Sequence, residues 1–361
     1  MLAERDQPTL PTAVPHSIWE SGLRWLTAGL VLTTVAVAFE ALAVATILPA
    51  TATELGGVDL YGWAFSAFLL TNLVGITVAG SEADRQGPIR PFLVGVGLFI
   101  IGLIVGGIAT SMPMLIAGRA LQGFGGGVIN AVAYAAIARA YPDALKPHML
   151  AVMATAWVVP GLIGPAIAGV IADLFGWRSV FLGLAPFPLL AALMTLSGLR
   201  TLGGGSRQPR EWSSTFAAIV LAVGAGILLA GLAASSLVML IVLVSVGGLI
   251  GIVALQRLLP PGSLRAASGM PAAILTSGIL NLAFFGTDAY VPLGLTEVRG
   301  QTATTAGLTL TAATLTWTAG SWLQARLARS TSRRTLTSFG LIITAIGCGS
   351  IATVMLPAVS I

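Results

Sequence analysis

Long apolar runs are the feature that most restricts the fold of this chain. A helix of roughly 20 residues crosses a bilayer core of about 30 Å. The runs are apolar throughout rather than alternating, so they predict membrane-spanning α-helices and not the strands of a β-barrel. We predict an all-α polytopic membrane protein with about 11 transmembrane helices, the tenth being the weakest because it is rich in Thr. The predicted spans lie near 24–49, 61–80, 92–110, 114–138, 150–172, 179–199, 214–233, 236–256, 271–292, 304–325 and 337–357.

The small number of charges excludes a soluble protein of this size. Hydrophobic residues make up 56% of the 361 residues and charged residues only 9%, whereas a soluble domain holds roughly a quarter of its residues as charged side chains. The polar segment 1–22 lacks the short basic region and brief apolar core of a cleavable signal, so we expect it to remain as a tail. The single Cys348 excludes an internal disulfide.

The distribution of Lys and Arg predicts the orientation in the membrane. Fifteen of the 18 basic residues fall on the side of the N-terminus, Arg178 and Arg299 fall on the other side, and Arg119 lies within a span. Because basic loops stay in the cytoplasm, we predict a multi-pass protein of the cell (cytoplasmic) membrane with a cytoplasmic N-terminus. The net charge of +5 then indicates attraction to anionic membrane lipid. We expect no nucleic-acid partner, since aromatic residues do not interleave with the basic ones.

Three ionisable residues remain at membrane depth, namely Glu40, Arg119 and Asp288. A charge at this depth costs at least about 2.5–3.5 kcal/mol, so it usually faces a bundle interior or a water-filled cavity and has a partner. The depths of Glu40 and Arg119 allow their side chains to meet, and such a Glu could take and release a proton. Two simpler interpretations stay open: a static structural Glu–Arg pair, or an Arg that extends toward the membrane surface.

One face of the fourth predicted helix is small and polar in an otherwise apolar span. Steps of three and four residues place five side chains on it. We expect this face to line a helix interface or a cavity, and its two glycines would let another helix approach closely. The face consists of Arg119, Gly123, Gly127, Asn130 and Tyr134.

The segment Gly80-Ser-Glu-Ala-Asp84-Arg85-Gln-Gly87-Pro-Ile-Arg90 resembles a motif of the major facilitator superfamily, and in particular of its fourteen-helix drug:proton antiporters. In that family the motif joins the second and third helices. It departs from the family pattern at Glu82, where an apolar residue is usual. Charged side chains in so short a loop can latch neighbouring helix ends, so the resemblance implies a gating loop formed by Gly80, Asp84, Arg85, Gly87 and Arg90.

Two further segments carry the same resemblance. Gly118-Arg119-Ala-Leu-Gln122-Gly123-Phe-Gly125 is similar to the family's fourth-helix motif, whose Arg is associated with proton coupling. Residues 160–169 resemble the fifth-helix motif of exporters, and Gly and Pro at this density bend a helix and let neighbouring helices slide. Membrane depth, the small and polar helix face and the resemblance together predict a proton or substrate site formed by Glu40, Arg119, Asp288, Gln122, Asn130 and Tyr134. The resemblance also implies an exporter motif formed by Pro160, Gly161, Gly164, Pro165 and Gly169.

The resemblance also implies a domain order. A cytoplasmic tail at 1–22 precedes an N-terminal six-helix bundle at 23–199, a cytoplasmic linker at 200–213, two linker helices at 214–256 and a partial C-terminal bundle at 257–361. Residues 325–334 look like a second copy of the gating loop, with Arg329 in place of its Asp and Ser332 in place of its Gly. Three helices of the family pattern are missing. We therefore expect either a truncated gene product or a complementing chain that supplies them.

The function that the resemblance implies is secondary active transport. We predict proton-coupled efflux of a small amphipathic molecule or drug, with the substrate and protons as partners and no cofactor. No Ser–His, paired-Asp or HExxH arrangement lies in the spans, so we do not expect an enzyme, and His16 and His148 have no metal-ligand company. The alternative is a truncated, non-transporting remnant or a membrane scaffold.

Overall fold

The computed structural model describes residues 17–203, 212–327 and 330–354, and every regular element in these ranges is a helix. Three 3₁₀ turns lie at Val58–Leu60, Arg200–Leu202 and Ser263–Arg265, and a π-helical turn, Gly294–Val298, extends α11. The helices are α1 (Arg24–Glu54), α2 (Tyr61–Gln86), α3 (Ile89–Gly107), α4 (Met112–Ala140), α5 (Lys146–Thr155), α6 (Val158–Phe175), α7 (Trp177–Leu184), α8 (Pro186–Leu199), α9 (Trp212–Leu232), α10 (Leu237–Leu258), α11 (Met270–Leu293), α12 (Ala303–Leu327) and α13 (Arg333–Val354).

The helices confirm the predicted fold class. Ten segments of the described chain are long and apolar enough to cross a membrane, counting α5 with α6 and α7 with α8 as one span each. The Thr-rich α12 is a helix of 25 residues, but it is not among those ten. It coincides with the predicted tenth span, which the sequence marked as the weakest. The chain is a multi-pass membrane protein.

Two predicted spans are interrupted, which corrects the expectation of continuous helices at 150–172 and 179–199. The first breaks between α5 and α6 at Ala156 and Trp157, and the second breaks at Ala185 between α7 and α8. Pro160 and Pro186 explain the breaks. Each lacks a backbone N–H, so the carbonyl four residues earlier loses its helical partner and the chain bends there.

Glycines bring α2 and α4 into backbone contact. A Cβ atom at Gly123 would collide with the carbonyl of Phe68, and one at Gly127 would collide with the carbonyl of Asn72. Side-chain hydrogen bonds follow the same seam, because the Thr71 hydroxyl donates to the Ala120 carbonyl over 2.8 Å. The predicted small face of the fourth helix is therefore a packing interface over its middle section.

The other close pairings arrange the rest of the bundle. Helix α1 packs against α6 and α8, α3 packs against α4, and α9 pairs with α10 and also contacts α2. Helix α6 packs along α12, which the predicted domain order places in the partial C-terminal bundle. Helices α11 and α13 bury almost none of their side chains against the rest of the described chain. The domain boundaries themselves stay predictions.

Alternating helix directions sort the helix ends onto two faces. The face called basic here carries the ends of α2, α4, α10 and α12 with Arg85, Arg139, Arg257 and Arg326. The face called opposite carries the ends of α1 and α6 and the turn after α11, with Glu54, Asp173 and Glu297. Residues 1–16 of the predicted tail, residues 204–211 of the predicted linker and Arg329 lie outside the described residues.

Candidate functional site

The predicted contact between Glu40 and Arg119 is present and lies in the middle of the bundle. The Arg119 guanidinium donates through Nη1 to Glu40 Oε1 and forms an ion pair with it. Glu40 has no exposed surface and Arg119 is 3% exposed. Neither side chain extends to the membrane surface, so the interpretation of Arg119 as an outward-reaching side chain is wrong.

Three neighbours hold the Arg119 side chain in place. Its Nη1 also donates to Gln122 Oε1 over 2.9 Å, and its Nε donates to the Ala64 carbonyl over 3.3 Å. The face of the Phe68 ring lies 4.3 Å from the centre of the guanidinium, a cation–π contact. The sequence did not indicate Ala64 or Phe68 as partners of Arg119. Both lie on another helix, and the spacing of residues along a sequence does not show contacts between helices.

Two polar atoms beside this pair have no hydrogen bond within the described chain. They are Oε2 of Glu40 and Nε2 of Gln122, and both are buried. A buried polar group without a partner costs about 1–3 kcal/mol. One acceptor and one donor therefore remain available for a proton, a water molecule or a polar group of a ligand.

The remaining predicted residues of α4 extend from this pair toward the basic face. Asn130 is half-buried, and Tyr134 is 57% exposed. Arg119, about three and four helical turns earlier, is enclosed. Exposure along this helix face therefore rises from the ion pair toward the basic face.

Asp288 lies apart from the ion pair. It is half-buried on α11 near the opposite face, next to Ala289, whose carbonyl accepts a hydrogen bond of 2.7 Å from Tyr61. Within the described residues Asp288 itself has no ion pair or hydrogen bond, and it does not contact Arg119. The structure therefore joins two of the three predicted intramembrane charges and leaves the third at the α2–α11 contact.

The predicted gating loop links α2 to α4 as well as to α3. Asp84 Oδ1 accepts a hydrogen bond of 2.8 Å from Arg139 at the end of α4, a partner that the sequence did not indicate. Arg85 pairs with Glu82 over 3.2 Å. Arg90, at the start of α3, donates to the side chain of Gln86, at the end of α2, over 3.3 Å. This hydrogen bond joins the two helix ends. Gly80 is exposed, with free space around it.

Gly87 closes α2 with a positive φ of 85°. L-amino acids with a side chain rarely adopt this conformation, which glycine adopts easily. The turn into Pro88 and α3 therefore depends on this glycine. The positive φ thus gives a physical reason for Gly87, one of the two glycines of the predicted gating loop.

The predicted exporter motif lies on α6, where this helix meets α1 and α12. Gly161 and Gly169 give close contact with Thr314 and Thr304 of α12, and Gly164 faces the Phe39 ring of α1. The buried Pro160 and Pro165 lie on the same helix, and the Pro165 carbonyl touches Gly307 of α12. The motif therefore forms the contact between the predicted N-terminal bundle and the partial second bundle.

Hydrogen bonds join the two bundles at the opposite face. Thr53 on α1 donates to Glu297 over 2.6 Å, and the Thr304 hydroxyl and backbone N–H donate to Asp173. Within the N-terminal bundle, Glu54 accepts from Trp177 over 2.8 Å and from Arg178. The sequence did not indicate these contacts, because their partners are more than 100 residues apart.

Comparison with known proteins establishes the family. The family model of the Major Facilitator Superfamily matches residues 30–361, which is most of the chain. The chain belongs to the Major Facilitator Superfamily. This confirms the resemblance that the gating-loop, fourth-helix and exporter motifs indicated, and it makes the chain a member of a transporter family.

Curated relatives of this superfamily member include named multidrug transporters. A probable multidrug-efflux transporter of Mycobacterium tuberculosis is 31% identical over 300 residues, which cover 78% of this chain and 62% of the relative. Multidrug resistance protein 3 of Bacillus subtilis is 25% identical over 201 residues, which cover 56% of this chain and 39% of that protein. The chain thus spans less than two thirds of the length of these relatives.

Solved structures show the same fold. A transporter of the POT family in complex with 5-aminolevulinic acid has a TM-score of 0.64 at 16% identity, with 89% of this chain and 74% of that chain covered. A bacterial homologue of the human lysosomal transporter Spinster has a TM-score of 0.58 at 15% identity, covering 89% of this chain and 63% of the other. At these identities the likeness concerns the fold alone.

Proposed function

We propose that this superfamily member is a proton-coupled exporter of small amphipathic molecules in the cytoplasmic membrane, with its N-terminus in the cytoplasm. The observation that carries the proposal is the buried ion pair between Glu40 and Arg119, in which one carboxylate oxygen has no hydrogen bond from the described residues. Intramembrane charges of this kind mark ion and substrate pathways.

Proton binding is chemically simple at this pair. A proton on Glu40 Oε2 neutralises the carboxylate and weakens its attraction to Arg119. The guanidinium keeps the Gln122 and Ala64 carbonyl oxygens as acceptors, so it stays solvated by the protein while the net charge of the site changes. A site that changes charge without losing its hydrogen bonds can alternate between two states.

The arrangement of the two bundles supports a cytoplasm-facing state. At the opposite face Thr53, Glu297, Asp173 and Thr304 join the bundles, while toward the basic face the polar side of α4 becomes exposed at Tyr134. With the basic face in the cytoplasm, substrate would reach the site from inside the cell. Rocking of one bundle against the other would then carry it outward.

The substrate class follows from the chemistry of the site and from the relatives. The pair lies beside the apolar ring of Phe68 and one polar side chain, Gln122, which suits a molecule with an apolar body and a few polar or cationic groups. The names of the mycobacterial and Bacillus relatives support drugs or drug-like compounds as substrates.

The decisive experiment compares Glu40→Gln with Glu54→Gln in cells loaded with a fluorescent cationic dye. Both changes remove one carboxylate from α1, but Glu54 lies at the exposed helix end and Glu40 is fully buried. We expect uncoupler-sensitive dye efflux in the parent chain and in Glu54→Gln, and none in Glu40→Gln. Immunoblots of membrane fractions check that all three proteins accumulate equally.

Efflux by Glu40→Gln at the parental rate would exclude this residue from coupling. Absence of efflux by the parent chain, with efflux restored when a longer product or a complementing fragment is supplied, would mean that this chain alone does not transport. Absence of efflux under both conditions would support the remnant or scaffold alternative.

A further inference from the structure

The paired helices α6 and α12 form a wedge. Toward the opposite face they are in close contact, because Gly169 meets Thr304 and Gly307 meets the Pro165 carbonyl. The last such contact joins Gly161 to Thr314. Beyond it, toward the basic face, a cavity of about 470 Å³ opens between the beginning of α6 and the final turns of α12.

The lining of this cavity is mostly apolar, with Thr318 among its residues, and is cationic at one end. Val158 and Leu162 of α6 face Leu315 and Leu323 of α12. Arg326 stands at the end nearest the basic face, and it makes no ion pair or hydrogen bond with any other described residue. An unpaired guanidinium beside an apolar groove is complementary to a molecule with an anionic head and a hydrocarbon tail.

The position of Trp322 indicates how deep the cavity lies in the membrane. Its side chain is 70% exposed and lies one helical turn before Arg326, at the rim of the cavity. Trp side chains favour the boundary between hydrocarbon and lipid headgroups. The cavity therefore lies in the hydrocarbon layer just below the headgroups of the leaflet at the basic face, with Arg326 at headgroup level.

We propose that this cavity is a binding site for an anionic phospholipid of the leaflet at the basic face. The phosphate group pairs with Arg326, and one acyl chain lies between α6 and α12 along Leu162 and Leu315. The bound lipid fills the space into which the two helix ends would move if the basic face closed. It therefore favours the conformation in which the opposite face is closed.

The test is native mass spectrometry of the purified full chain with phosphatidylglycerol added to the detergent micelles. Arg326→Gln removes the cation, and Ala319→Trp fills the cavity while keeping Arg326. Arg257→Gln is the matched control, because Arg257 is also an exposed Arg in the last turn of a helix at the basic face but lies on α10, away from the cavity. Size-exclusion chromatography checks that each variant remains folded and monodisperse.

We expect lipid occupancy to fall about fivefold in Arg326→Gln, the effect of one basic residue at a membrane surface, and to fall also in Ala319→Trp, with no change in Arg257→Gln. Equal occupancy in all four proteins, or an equal loss in Arg257→Gln, would overturn the proposal and indicate unspecific lipid contact. Displacement of the lipid by inorganic phosphate alone would also overturn it, because the acyl chain would then contribute nothing. The readout does not depend on transport, so its result is separate from that of the dye assay.

Discussion

Replacing Arg119 by Met should destabilise the fold far more than breaking an exposed Arg–carboxylate pair. The change leaves Glu40 with no cationic partner at a position with no exposed surface. It also removes the donor that serves the carbonyl oxygens of Gln122 and Ala64. Removing one partner of a buried ion pair typically costs about 3–5 kcal/mol, and we expect a loss in that range.

The matched control is Arg139→Met. Arg139 also joins two helices through a carboxylate, that of Asp84, but the side chains of this pair are 30% and 71% exposed. Water screens such a pair, so its loss should cost less than about 1 kcal/mol. Reversible unfolding in detergent micelles titrated with sodium dodecyl sulfate measures both free energies of unfolding on the same scale.

The double variant Glu40→Leu/Arg119→Met tests whether the uncompensated charge of Glu40 causes the loss of stability in Arg119→Met. Replacement of both partners by apolar side chains removes the uncompensated charge, and such replacements are often close to neutral for stability. We expect the double variant to recover most of the stability lost in Arg119→Met. Equal free energies for Arg119→Met and Arg139→Met, or a double variant less stable than Arg119→Met, would refute the assignment of a tightly coupled buried pair.

Three further results are expected from the same unfolding assay. Gly123→Val should destabilise the chain by about 1–3 kcal/mol, because the new side chain meets the Phe68 backbone. Gly97→Ala on α3, where a Cβ meets nothing, should be neutral or stabilising by up to about 1 kcal/mol. A larger loss of stability in Gly97→Ala than in Gly123→Val would contradict the packing of α2 on α4. The hydrogen bond from Lys146 lowers the pKa of Asp143 below 3.8, so the pair should stabilise the fold above that pH and lose its effect as the pH falls through the lowered pKa. Asp143→Asn should flatten this acid-range dependence and leave the stability at lower pH unchanged, whereas an unchanged pH profile would show that the pair makes no contribution.

The sequence by itself determined the fold class and the position of almost every helix. A membrane-spanning helix satisfies its own backbone hydrogen bonds, so its location depends on a local run of apolar residues and hardly on the rest of the chain. The same physics singled out Glu40 and Arg119, because a charge in a hydrocarbon layer is costly wherever its partner lies. The prolines at 160 and 186 were visible too. A bend near residues 160–169 was predicted, but the breaks at 156–157 and at 185 were not.

Tertiary structure decided which groups meet. The pairing of Asp84 with Arg139, the contact of Glu297 with Thr53, and the position of Asp288 away from Arg119 all join or separate residues on different helices. No periodicity records such contacts, because each helix is stable in the membrane before it docks and its rotation is set by packing against its neighbours. The wedge between α6 and α12 is decided in the same way: glycines let the helices approach at one end, and only their docking shows that they separate at the other.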